Sequence, residues 1–397
     1  MKRILAIALL LCSTAHAQQL PKVARQLSSP VATTEMINDG LQPLAHIPWT
    51  SDEDIKRSAF GVSSGKDGIA PMGEFPTARY QIAQNFSGAG ICPKAGDARV
   101  SFCISRHNYV GVRLGSSDSE IQFCRLYNNR DVCLWIAAGS GSANCQSTGN
   151  HCYGARIACY NEGSQAYRAT QDTYADSLIG YFGDVKVAGS HQTTLTNVLF
   201  QHNTVRDCVF GATSGQLMNC IVNVQEDVTE WNTIDIPGVI TRSTVGERNA
   251  KAGIEMGSRC SIRGGLVELA KWHHPAHTPS GKPCECVRIA SGTQLAVINT
   301  LLVDGQGIDG AVGVHTVGPC HGLTIDCVVV GFELPADRLL VVDDAAHTNV
   351  DITFRINGAA KPIGGYIYIG AGWTGSIRLI DTANGKTMTL PQGKATR

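Results

Sequence analysis

Charge is scarce in this chain: 17% of its residues are Asp, Glu, Lys or Arg, and 33 basic residues face 33 acidic ones. With no basic run and no net charge, there is no bulk electrostatic drive toward nucleic acid or an anionic membrane, and neither partner is expected. Aromatic residues make up only 6%, and long amphipathic helical periods are missing. After the N-terminus no stretch reaches the roughly 18 uninterrupted apolar residues that a spanning helix requires, so membrane insertion is not expected. There is no phosphate loop of the G-x-x-x-x-G-K-[ST] form, and no cofactor is expected.

What the chain does have is glycine, 43 residues against 15 prolines, and a recurring short apolar run. Leu195–Phe200 is followed by Leu217–Val222, Cys260–Ile262, Leu295–Ile298, Leu323–Val328, Val350–Phe354 and Ile377–Ile380, at intervals of 22, 43, 35, 28, 27 and 27 residues. Taking the 43 as two coils and the 35 as one coil with an added loop, a single period covers them all. A strand-like unit with that period predicts a stacked solenoid, because no unit could bury its apolar face alone. The phase extends backward through Val100–Ile104 and Ile121–Leu126, and Arg156–Tyr160 resembles them.

Residues 1–17 read as a secretory signal peptide: Lys2-Arg3, an apolar run from Ile4 to Cys12, then Ala15-His16-Ala17. The expected location of the mature chain is therefore secreted or periplasmic. Fifteen cysteines less Cys12 leave 14, and export would permit disulfides, with Cys145, Cys152, Cys284 and Cys286 beside polar loops as the better candidates. Cys103, Cys124, Cys159, Cys220 and Cys327 sit inside apolar runs and read as buried thiols. Residues 18–97, punctuated by Pro21, Pro30, Pro43, Pro48, Pro71 and Pro76, read as a lead and cap; 98–381 as the solenoid; 382–397 as a tail.

The coil length, apolar runs and Asn-bearing turns resemble the right-handed parallel β-helix proteins, the pectate-lyase-like superfamily that includes polygalacturonases and phage tailspike depolymerases. The resemblance covers about residues 98–381 and implies an all-β, right-handed parallel β-helix with an N-terminal cap. It also implies an internal Asn ladder, with Asn108, Asn128, Asn203, Glu268, Asp304 and Asn357 in one file along the axis. The polygalacturonase motifs are altered here and out of order, as Asn232-Thr233-Ile234-Asp235, Cys320-His321-Gly322, Asp343-Asp344 and Arg355-Ile356-Asn357, so that mechanism does not transfer.

Several residues carry candidate chemistry. Glu268 and Asp304 would sit on adjacent coils, roughly 5 Å apart, either as ladder members or as the acid and base of a glycosidase. Asp227, Glu230 and Glu255 crowd an excursion, 225–259, with Trp231 among them; solvated loop charge is the competing explanation. Five tyrosines, Tyr153, Tyr160, Tyr167, Tyr174 and Tyr181, recur every seven residues, and residues 164–178 could be a helix with Tyr167 and Tyr174 on one face. They are core packing or, with Trp231 and Trp272, a platform for sugar rings. Lys271–His277 with Cys284 and Cys286 lacks the spacing of a closed zinc site, and no metal is expected.

The sequence thus points to an exported β-helix protein that engages a polysaccharide or glycan along its side and, as an enzyme, would be a glycosidase or lyase. A non-catalytic adhesin, or a surface or virion component, is the alternative. Oligomeric state stays open, a homotrimer among the options.

Overall fold

The structure, a computed structural model, describes residues 67–390 except 138–143, 163, 178, 184–191, 202, 204–205, 211–213, 226–250, 271–283, 306–307 and 360–361. Residues 1–66, which include the segment read as a signal peptide and most of the lead, lie outside the described residues. The fold is a parallel β-helix of the right-handed type, with a 21-stranded and an 11-stranded sheet.

Each early coil has three faces. The first and second are three-residue strands such as Arg99–Ser101 and Ile104–Arg106; the third is a five-residue strand such as Val110–Leu114. Between the first two faces the chain bends at one left-handed residue: Tyr80, Phe102, Phe123, Gln171, Asn197 and Asn219 have φ of 50–58°. A single left-handed residue reverses side-chain alternation without ending the strand, so one apolar run supplies two faces. Leu195–Phe200 is such a run: Gln192–Thr196 and Leu199–Gln201 flank Asn197.

Register, coil on coil, makes the core. Ala78, Val100, Ile121, Ser147, Ala169, Leu195, Leu217, Ile262, Ile298, Ile325, Ile352 and Ile377 form one in-register column. Nearly all are buried in a single cluster that runs the length of the stack. Burying each large aliphatic side chain contributes about 1.5–3 kcal/mol, and no coil could collect this without neighbours.

The pairing corrects the phasing in three places. Leu217 pairs directly with Ile262, so the 43-residue interval is one coil carrying the excursion 226–250, not two coils. Ile157–Asn161 is a third-face strand, paired with Val132–Ile136 and Ile179–Gly183, and does not share the phase of Val100 and Ile121. Coils also begin earlier than residue 98: Thr77–Arg79, Ile82–Gln84 and Ala89–Ile91 already stack on the next coil.

Toward the C-terminus the bend between the first two faces straightens into long strands, Val297–Asp304, Cys320–Val330 and His347–Ile356. Thr300, left-handed at φ 56°, keeps a last irregularity where the register shifts. Inside the segment read as a tail, Lys386–Leu390 folds back antiparallel on Ser376–Asp381 and ends the parallel stacking of that sheet.

The Asn ladder exists with different members. Asn108 accepts from Phe86 N–H at 2.9 Å and donates to Ala83 O at 3.1 Å, while its own N–H reaches Asn129 Oδ1 at 3.1 Å. Asn128 is the left-handed residue one step earlier, at φ 50°. Farther along, Ser177 N–H donates to Asn203 Oδ1 at 3.2 Å. Glu268 and Asp304 are strand residues, and Asn357 is exposed in the turn after His347–Ile356. The expected single file is therefore a ladder of Asn108, Asn129, Ser177 and Asn203, with the acids elsewhere.

Candidate functional site on the third face

The third face is the place where the fold gathers chemistry on its outer side. Within each five-residue strand the first and fourth residues point away from the core, so the pairings write out two outer columns. One contains Val110, Val132, Ile157, Ile179, Arg206, Ala252, Glu285 and Val312. The other contains Arg113, Trp135, Tyr160, Phe182, Val209, Glu255, Arg288, His315 and Val341.

The early coils of this face make an apolar strip. Trp135, Tyr160 and Phe182 stack with ring centroids 6.2 and 5.7 Å apart, and the Arg113 guanidinium lies 4.7 Å over Trp135. Trp135 Nε1 donates to Glu162 at 2.9 Å. These outer residues form a second apolar cluster, separate from the core.

Along the same columns the strip turns into an acid–base cluster. Arg206 Nε pairs with Glu255 Oε2 at 3.1 Å. One coil on, Arg288 grips Glu285 with two hydrogen bonds, Nε to Oε2 at 2.7 Å and a terminal nitrogen to Oε1 at 2.9 Å. His315 then bridges two carboxylates, Nδ1 to Glu285 Oε1 at 2.7 Å and Nε2 to Asp343 Oδ1 at 3.1 Å. Arg206, Glu255, Glu285 and Arg288 are all buried although they face outward from the sheet. Asp343 has 44% of its side chain exposed and His315 16%.

The electrostatics follow from this packing. Burial pushes the Glu285 carboxyl up, yet the His315 hydrogen bond and the Arg288 charge outweigh it and hold the group below its ordinary value. Burial pulls His315 down, and its bonds to Glu285 and Asp343 carry it above the ordinary histidine value. An imidazolium between two carboxylates is a held proton, with Asp343 as the member most open to an incoming group.

Of the residues expected from sequence, Glu255 belongs to this cluster. Glu268 and Asp304 are brought together, in register on adjacent coils, but on the outer side of the second face, where both are half-buried. Tyr167 is not a sugar platform: it is fully buried, its hydroxyl 3.3 Å from Cys159 Sγ and 3.1 Å from Tyr174 OH. The helix expected over 164–178 is two strands, Ala166–Thr170 and Thr173–Ala175, because the seven-residue tyrosine spacing comes from coil geometry. Tyr160 is on the third face, but Trp135 and Phe182 cover both sides of its ring, so no sugar can stack there. Asp227, Glu230, Trp231 and Trp272 lie outside the described residues.

None of the 14 described cysteines is in a disulfide. Cys145, Cys152, Cys284 and Cys286, the candidates for bridges, all pack into the core cluster. Among the described residues there is no group of three or more His, Cys, Asp or Glu arranged to hold a metal ion.

Sequence reasoning missed Arg206, Glu285, Arg288 and His315, and met Asp343 only in the altered Asp343-Asp344 motif. A signal was present: Glu285 to His315 is 30 residues and His315 to Asp343 is 28, each one coil. No protein-family model, curated protein or solved structure matches the chain.

Proposed function

We propose that this protein binds an extended polysaccharide along its third face and cleaves it at the Glu285–His315–Asp343 cluster. The observation that carries the reading is the histidine held between two carboxylates on the outer side of a parallel sheet, in the columns that also carry the apolar strip. Cleavage of a glycosidic bond needs proton transfer to the leaving oxygen, and the hydrogen-bonded His315 and Asp343 are the members with exposed area to supply it. Glu285 and Arg288 are positioning residues that fix the imidazole and its charge.

The guanidiniums of Arg206 and Arg288 are matched by carboxylates, so the reading favours a neutral polymer over a polyuronate. A flat parallel face crossing several coils suits a chain of repeating units, and the analogy with other β-helix proteins adds weight. Export through the N-terminal segment would put the protein where such polymers occur.

Glu268 and Asp304 give a second reading, since two carboxylates in register on adjacent coils have the spacing of a retaining pair. One experiment separates the readings. The parent, His315→Gln, Asp343→Asn and the double variant Glu268→Gln/Asp304→Asn are assayed on a polysaccharide panel for new reducing ends and unsaturated products. Loss in the first two with activity kept in the third supports the third face, and the reverse moves the site to the second. A parent that binds glycan and cleaves nothing is the adhesin.

A further inference from the structure

Two cysteines share one station at the bend between the first and second faces. Cys103 follows left-handed Phe102 and Cys124 follows left-handed Phe123, and the strands they introduce, Ile104–Arg106 and Arg125–Tyr127, pair in register. The Cys103 N–H donates to Cys124 Sγ at 3.4 Å, and each thiol donates to the carbonyl two residues back, Ser101 or Gln122, at 3.3 Å. The two side chains therefore have the same orientation, one coil apart. Parallel rungs repeat about every 4.8 Å, within the roughly 4.4–6.8 Å between Cα atoms that a disulfide spans. No other two described cysteines hold equivalent stations on neighbouring coils.

We propose that Cys103 and Cys124 are a redox pair that closes to an inter-coil disulfide when the chain folds with a small-molecule disulfide such as oxidised glutathione. Closure occurs while the bend is still open, since both thiols are buried in the finished stack. The Cys103 thiolate attacks one sulfur of glutathione disulfide, forming a mixed disulfide and releasing one glutathione thiolate. The Cys124 thiol gives up its proton and attacks the Cys103 sulfur, forming the Sγ–Sγ bond and releasing the second glutathione thiolate. Two protein thiols are oxidised and one glutathione disulfide is reduced.

The test is refolding of the full chain from urea in a glutathione redox buffer, alkylation of remaining thiols, and peptide mapping by mass spectrometry without reduction. The expected result is one cross-linked peptide joining Cys103 to Cys124 in most of the chains, lighter by two hydrogens than its reduced parts, with the other described cysteines alkylated. The oxidised protein should also melt higher than the same sample after reduction. Recovery of Cys103 and Cys124 as alkylated thiols, as stable glutathione adducts, or bridged to other cysteines would overturn the proposal. Cys103→Ser and Cys124→Ser keep a hydroxyl for the same carbonyl, and each should abolish the cross-link and the effect of reduction on melting. If a variant fails to fold, the map of the parent decides alone.

Discussion

Asp172 is a carboxylate sealed in the core, accepting from Asn150 N–H at 2.7 Å, from Tyr174 OH at 2.9 Å and from the Ser147 hydroxyl. Burial outweighs those bonds and raises its pKa from 3.8 to about 6. The unfolded chain releases this proton near 3.8 while the folded one keeps it to about 6, so between those values the folded state binds more protons. Stability must then fall as pH rises through that window, by on the order of 3 kcal/mol in total. Urea unfolding from pH 4 to 7 should show the decline in the parent and a flatter profile in Asp172→Asn. His315 has the same sense in a higher pH window: a base raised by its carboxylates adds stability that is full below its unfolded pKa and lost as pH rises through the folded one. Its imidazole resonances should titrate above 6.5, and in Glu285→Gln the midpoint should drop.

At the scale of elements, what matters is how each bend is held. Asn108 is fully buried, and its side chain accepts from Phe86 N–H and donates to Ala83 O. Asn108→Ala orphans those groups and should cost about 3 kcal/mol in chemical denaturation, against less than about 1 kcal/mol for exposed Asn357→Ala. Gly149 is needed for a different reason. It takes φ 64°, and a Cβ there would sit 2.7 Å from the Phe123 ring. Gly149→Ala should destabilise by about 1–2 kcal/mol, and Phe123→Ala in the same chain should recover the steric part while the backbone strain remains.

These bends also explain what could be read in advance. Apolar runs such as Leu195–Phe200 and Leu217–Val222 were legible because both strands that flank a bend send large side chains inward. The bend itself was not, since Phe102, Gln171 and Asn219 have nothing in common as residue types except the conformation they adopt there. Asn128 was misread for the same reason: it and Asn129 are adjacent, and only the backbone tells which one enters the ladder.

At the scale of the whole molecule, function follows from which residues the stacking lines up. Glu285, His315 and Asp343 are distant in sequence and become neighbours because each coil adds one rung, so the site was hidden from any local motif search. Glu268 and Asp304 were legible as a pair because they fall in the same repeat phase, and the structure does place them in register. The account holds that recognition happens on the third face. The most direct measurement is binding to a glycan array by the parent, by Asp343→Asn, which changes the most exposed member of the cluster, and by Asp351→Asn, which changes an exposed acid on the first face. The account predicts a glycan signal that is weakened or lost in Asp343→Asn and kept in Asp351→Asn, with all three proteins folded by circular dichroism. Binding untouched by Asp343→Asn, or that fails only in Asp351→Asn, would contradict it.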